Sequence, residues 1–281
     1  RRHSKIAVIM QLAHAGRKAS SRRPWEGGQL IPLSEGGWAP HGPSAVPHKE
    51  GEPAPLALDA AGLARLRRAF AQAAQRAARL EIDGLEIHAA HGYLLHQFLS
   101  PVANRRSDAY GGSLENRMRF PLEAFEAARR AFPADRPVGV RVSATDWVDG
   151  GWDIEQTVAF SRELKKRGAD WIDVSSGGVS SLQKMPFGPG YQVPFARAVK
   201  EATGILTIAV GMITKARQAE EIIAQGKADL VALARGILYD PRWPWHAAAE
   251  LGTTVEAPPQ YWRAPPPEQG RLFRDTAFGA R

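Results

Sequence analysis

Residues 85–101 read Leu-Glu-Ile-His-Ala-Ala-His-Gly-Tyr-Leu-Leu-His-Gln-Phe-Leu-Ser-Pro, and they place two imidazoles and a phenol, His88, His91 and Tyr93, within six positions. The segment starts as a buried strand: Leu85 and Ile87 are apolar, and Asp83-Gly84 mark its entry. The polar groups follow at the strand's C-terminal end, where barrel enzymes keep their chemistry. Two neutral histidines can donate hydrogen bonds to one carbonyl oxygen, and a tyrosine beside them can deliver a proton. That is equipment for polarising and reducing an activated double bond. Binding of a substrate oxygen is the expected role of His88 and His91. A metal site, which would need a further ligand such as His96, and plain loop structure remain open.

Other positions suggest an anionic, planar cofactor. Gln11 ends a strand, and a carboxamide at a barrel mouth both donates and accepts, as the imide-like edge of a flavin requires; a structural role is equally open. Arg141 interrupts the apolar strand 138–142. A buried arginine needs a facing anion, either the negative side of a reduced flavin or a structural carboxylate. Gly211 follows the fifth strand and Ala234-Arg235-Gly236 the sixth. Small residues there let backbone N–H groups approach a phosphate, and the arginine adds positive potential.

These residues need a scaffold of strands alternating with amphipathic helices. Apolar runs predict strands at 6–12, 85–88, 138–143, 171–175, 206–210 and 230–233. Helical patterning falls at about 60–80, with Asp59 as N-cap, and at 114–132, 154–167, 195–202, 215–225 and 242–251. Near-continuous apolar strands, each followed by a helix, mean a parallel sheet. No G-x-G-x-x-G follows any strand, so the expected fold is an α/β (β/α)8 TIM barrel rather than a doubly wound sheet. Only six of its eight strands are found, and the missing two are expected to be the N-terminal βα units. The fifth and sixth runs are then strands seven and eight, the customary phosphate location, which agrees with Gly211 and Ala234-Arg235. The expected division is a barrel domain at 1–251, incomplete at its N-terminus, and a C-terminal arm at 252–281.

The 281 residues contain no cysteine, which excludes disulfides, thiolate nucleophiles and cysteine-ligated metal clusters within this sequence. The net charge is +8, but the arginines scatter over helices and no aromatic-interleaved basic patch appears, so nucleic acid is not an expected partner. No apolar run approaches the roughly 20 residues of a membrane span. The basic start, Arg1-Arg2-His3-Ser4-Lys5, does not read as a signal peptide. A cytoplasmic location is expected.

The motifs together resemble the old yellow enzyme family of FMN-dependent NADPH dehydrogenases and ene-reductases, in its bacterial xenobiotic reductase-like branch. The resemblance rests on residues 11–17, 42–47, 88–101, 104–117, 141–143, 229–241 and 259–263, which run in order along nearly the whole chain. It implies an FMN barrel that takes hydride from NADPH and reduces the activated C=C bonds of enones, nitro compounds or related small molecules. Gln11 and Arg141 would contact the isoalloxazine, and Gly211, Ala234 and Arg235 would hold the phosphate. His88 and His91 would bind the substrate oxygen, with Tyr93 as proton donor. Tyr261, Trp262 and Arg263 would reach a neighbouring subunit's site in a homodimer or tetramer, carried on a proline-rich arm that stands away from its own barrel.

Three departures from the family pattern are visible. The first two strands are absent, Ala234 stands where glycine is common, and Leu80-Glu81 ends a helix without its left-handed glycine. A larger relative of the dienoyl-CoA reductase or amine dehydrogenase type is disfavoured by the lack of cysteines. The other alternative is a truncated, non-catalytic barrel remnant that binds FMN weakly.

Overall fold

A computed structural model describes residues 5–273. In chain order the elements are β1 (Ile9–Leu12), β2 (His41–Gly42), β3 (Leu56–Ala57), α1 (Ala60–Arg79), β4 (Gly84–Ala89), α2 (Leu94–Leu99), α3 (Leu114–Ala131), β5 (Val138–Ser143), α4 (Ile154–Lys166), β6 (Trp171–Ser175), α5 (Val193–Thr203), β7 (Leu206–Ala209), α6 (Ala216–Ala224), β8 (Leu230–Val231), α7 (Arg235–Tyr239) and α8 (Trp243–Glu250). Residues 1–4 and 274–281 lie outside the described residues, and with them most of the basic start and the end of the arm. Among the described residues, no helix is long and apolar enough to cross a membrane.

The six predicted strands form one parallel sheet in the order β1-β4-β5-β6-β7-β8. Successive strands are neighbours and each crossover carries helix, so the sheet is six consecutive strands of a (β/α)8 barrel. Among the described residues β1 and β8 are its two edges. Edge position explains the exposure of Val8, Ile9 and Leu230, which sit in apolar runs yet have no covering neighbour. It also explains why the outer strands are shorter than the apolar runs that announced them.

Strand alternation sorts the side chains onto two faces. Leu85, Ile87, Val138, Val140, Val142, Ile172 and Val174 are buried in the main core with Leu63, Phe70, Phe125 and Phe160 of the surrounding helices. Glu86 and His88, Arg141, and Trp171, Asp173 and Ser175 alternate with them and so point to the other face. Register then aligns polar partners: Gln11 with Glu86, His88 with Arg141, Arg141 with Asp173. Gly139 is required here, because a side chain would collide with the Trp171 indole, whose Nε1 donates to Glu86 Oε2 at 3.0 Å.

Helix ends follow their local chemistry. Asp59 caps α1 by accepting from the Gly62 N–H at 2.7 Å. At the other end Glu81 takes φ +55°, the left-handed conformation a glycine would adopt freely, so the missing glycine is replaced at a cost in strain. The 104–117 motif is a clamp. Asn104 Nδ2 donates to the carbonyls of Phe98 and Tyr110, both at 2.8 Å, Arg106 reaches those of Pro43 and Leu58, and Arg117 holds Leu99.

One expectation is corrected. The segment after α8 folds back on its own chain. Leu272 and Phe273 form a small core with Ala248 of α8, against which Trp245 and Trp262 pack. Arg242 lies 4.2 Å from the ring centroids of both Trp245 and Tyr261. Stacking of the planar guanidinium on two rings, together with this small core, holds the proline-rich segment against α8.

Candidate active site

At the end of β4 the chain makes a tight turn through His91, at φ +56°, and Gly92, at φ +70°. The turn is locked from several sides. A side chain on Gly92 would strike the backbone of Gly178, and one on Gly178 would strike His91. The Gly92 N–H donates to His96 Nδ1 at 2.8 Å, which leaves the His96 proton on Nε2, donating to Asp146 Oδ1 at 2.8 Å. Asp146 Oδ2 accepts from Ser100 at 2.6 Å and from the Trp152 N–H at 2.7 Å. Burial pushes the Asp146 carboxyl pKa up, but His96 and these donors outweigh it and the net shift is downward. His96 on α2 is therefore engaged in holding the turn and does not stand with His88 and His91 as a further ligand.

The turn gathers the predicted trio. The His88 ring centroid lies 5.1 Å from that of His91 and 5.1 Å from that of Tyr93. His88 is 3% exposed, and neither Nδ1 nor Nε2 has a hydrogen-bond partner among the described residues. Burial, with Arg141, His96 and Lys18 adding to it, pulls its pKa down to about 4. Burial, with Arg141, His88, His96 and Lys18 adding to it, pushes His91 lower still. Both imidazoles are neutral at pH 7, so each carries one N–H and one bare nitrogen. His91 Nε2 lies 2.7 Å from Ser175 Oγ. Ser175 in turn neighbours Gln192, whose Oε1 accepts from Ser176 at 2.6 Å and whose amide donates to the Val210 carbonyl at 2.9 Å.

Below the trio, Glu86 Oε1 accepts from Gln11 Nε2 at 2.6 Å. Arg141 Nε lies 3.4 Å from Asp173 Oδ2, so the carboxylate alternative for Arg141 is present in the fold. The pair is incompletely satisfied: Arg141 Nε and Asp173 Oδ1 are buried without hydrogen-bond partners. Burial raises the Asp173 pKa, with Arg141 opposing and Glu86 reinforcing. Gln11, on the edge strand, is exposed. Gly211, Ala234 and Arg235 come together on the wall of one cavity of about 580 Å³, between the ends of β7 and β8. Gly211 has φ +117°, and a side chain there would meet Gln192.

Sequence reasoning missed Lys18, Gln97, Ser175 and Gln192. Lys18 Nζ donates to the carbonyls of His91 at 3.0 Å and Gly178 at 3.1 Å, 5.4 Å from the Tyr93 ring centroid. Gln97 donates to the Gly92 carbonyl at 2.7 Å and accepts from the Arg17 N–H at 3.2 Å. Lys18 directly follows the 11–17 motif and Gln97 lies inside the 85–101 motif, so each carried a positional signal. Ser175 and Gln192 carried none.

Residues 2–253 match the family described as NADH:flavin oxidoreductase / NADH oxidase. An NADPH dehydrogenase of Geobacillus thermodenitrificans is 45% identical over 257 residues, 92% of this chain and 70% of that protein. Morphinone reductase superposes with a TM-score of 0.69 at 28% identity, over 90% of this chain and 68% of that one. A 2-naphthoyl-CoA reductase superposes with a TM-score of 0.74 at 25% identity, over 87% of this chain. This chain spans 38% of the length of that reductase.

Proposed function

The chain belongs to the NADH:flavin oxidoreductase / NADH oxidase family of FMN enzymes, and we propose that it acts as an ene-reductase, with NADPH as reductant and an electron-poor C=C bond as acceptor. The observation that carries the reading is the cluster of two neutral imidazoles and a phenol at the end of β4. The acceptor would be a small molecule whose double bond is conjugated to a carbonyl or nitro group. The proposed location is cytoplasmic.

The chain's own groups fit FMN. Arg141 Nε is buried without a hydrogen bond and meets Asp173 only as an ion pair at 3.4 Å, and Gln11 presents a carboxamide two strands away. The cavity lined by Gly211, Ala234 and Arg235 suits the phosphate. Bound there, FMN supplies hydride transfer between NADPH and the β-carbon of the acceptor. The protein's part is positioning and proton supply. N–H groups of His88 and His91 donate to the acceptor's oxygen and stabilise the negative charge that grows on it. The Tyr93 O–H gives its proton to the α-carbon, so that one hydride and one proton add across the double bond. With the Ser175 hydroxyl turned to donate to His91 Nε2, 2.7 Å away, rather than to Gln192 Oε1 at 3.4 Å, His91 would reach the acceptor through Nδ1–H. Tyr261, Trp262 and Arg263 completing a partner's site in a homodimer or tetramer remains part of the proposal. The packing of Trp262 against the small core at α8 and of Tyr261 against Arg242 and Trp245 supports a fixed rather than a flexible presentation of this segment.

Stopped-flow separation of the two half-reactions tests the reading. Tyr93→Phe should slow oxidation of the reduced protein by an enone by a factor on the order of 10²–10⁴, the usual worth of a positioned proton donor. Reduction by NADPH should stay close to wild type. Equal loss in both halves would make Tyr93 a structural residue. FMN-loaded wild-type protein that oxidises NADPH but never reduces an enone would overturn the assignment.

A further inference from the structure

Beside Tyr93 lies a second pocket, of about 420 Å³, whose wall includes Arg17, Lys18, Arg22, Lys49 and the carboxylate of Glu52. Its charges are poorly balanced. Arg22 is paired with Glu35. Arg17 is 4% exposed, yet its guanidinium meets only neutral carbonyls: Val46 and Pro47, both at 3.1 Å, and Val179 at 2.6 Å. Its Nε is buried with no hydrogen-bond partner. Lys18 likewise donates only to the carbonyls of His91 and Gly178, which leaves one of its three N–H groups uncommitted. A buried Arg17 beside a half-buried Lys18, neither with a carboxylate partner within 4 Å, is a costly arrangement unless an anion completes the site. Burial pulls the Arg17 pKa down to about 10 against the opposing charges of Asp146 and Glu52, and burial with the neighbouring Arg17 and Lys49 pulls that of Lys18 down.

We propose that this pocket binds an oxyanion, a carboxylate or phosphate carried by the ligand seated over Tyr93. The Lys18 ammonium bridges the two sites, because it holds the His91 turn and lies over the Tyr93 ring while lining the pocket. The group it receives sits on the proton-donor side of the acceptor. A carboxylate there belongs to an acidic acceptor; a phosphate belongs to the reductant. The inference rests on the role proposed for Tyr93.

Ligand pairs differing in charge test it: an enone bearing a carboxylate against its methyl ester, and NADPH against NADH. The variant is Lys49→Glu, at an exposed position whose reversal leaves the buried Arg17 and the half-buried Lys18 in place. Reversing one solvent-exposed charge should lower the acid-to-ester ratio of kcat/KM, or the NADPH-to-NADH ratio, about fivefold at low salt. The effect should fade as salt is added. The ratio that moves identifies the source of the anion. Both ratios unmoved in Lys49→Glu would overturn the proposal.

Calorimetric titration with the enone acid and with adenosine 2′,5′-bisphosphate reads the pocket without turnover. Binding of either that weakens in Lys49→Glu supports it, and binding of neither to the wild-type protein overturns it. An oxyanion bound by a protein that reduces no enone would refute the ene-reductase reading alone.

Discussion

His88 combines a stability cost with a chemical role, and replacing it by leucine separates the two. The imidazole is 3% exposed, and both ring nitrogens lack a protein partner. A buried polar group left unsatisfied costs about 1–3 kcal/mol. Leucine is of similar size and removes both nitrogens, against a shape penalty of up to about 1.5 kcal/mol. His88→Leu is therefore expected to leave FMN-free protein at least nearly as stable as wild type at neutral pH, and at best about 3 kcal/mol more stable, while enone reduction falls on the order of 10²–10³-fold through loss of one oxygen-binding donor.

The pH dependence sharpens this expectation. The native pKa of His88 is held at about 4 against an ordinary 6.5. The unfolded chain takes up the proton first as pH falls. This contribution is thus fully present above pH 6.5 and is lost as pH drops through about 4. The gap corresponds to roughly 3 kcal/mol, which His88→Leu should remove from the acid sensitivity. Urea titrations across that window measure both effects. A variant destabilised by more than about 1 kcal/mol, or one with an unchanged pH slope, would refute the argument and indicate that ordered water satisfies the ring.

Asp146→Asn should destabilise the chain by about 3–5 kcal/mol, because an amide N–H₂ must face one of the three donors that now converge on the carboxylate. A shift in urea midpoint worth less than about 1 kcal/mol would show that the network is not cooperative. Ser175→Ala should move the His91 proton toward Nε2, visible in ¹⁵N histidine shifts, and slow enone turnover. Ser175→Thr should restore both, and an unchanged tautomer in Ser175→Ala would remove Ser175 from the mechanism.

The strand periodicity was legible because burying a parallel strand on both faces demands apolar runs, and Leu85–Ile87, Val138–Val142 and Ile172–Val174 supply them. The His88-His91-Tyr93 spacing was legible because it is local: one strand end and one turn bring the groups together whatever surrounds them. Gly211 and Ala234-Arg235 were legible as a pair because adjacent barrel strands end side by side. Tertiary structure alone decided the rest. Only register could place Asp173 against Arg141, and only the interlock of Gly92 with Gly178 could set Ser175 on His91. The aromatic content of residues 258–263 was plain, yet its packing on Trp245 depended on Leu272 and Phe273 closing a second small core. The physical reason is common to all of these. Local spacing fixes which groups one element presents, whereas their partners, protonation states and unbalanced charges arise from burial between segments up to about 160 residues apart, as in the Lys18–Gly178 contact.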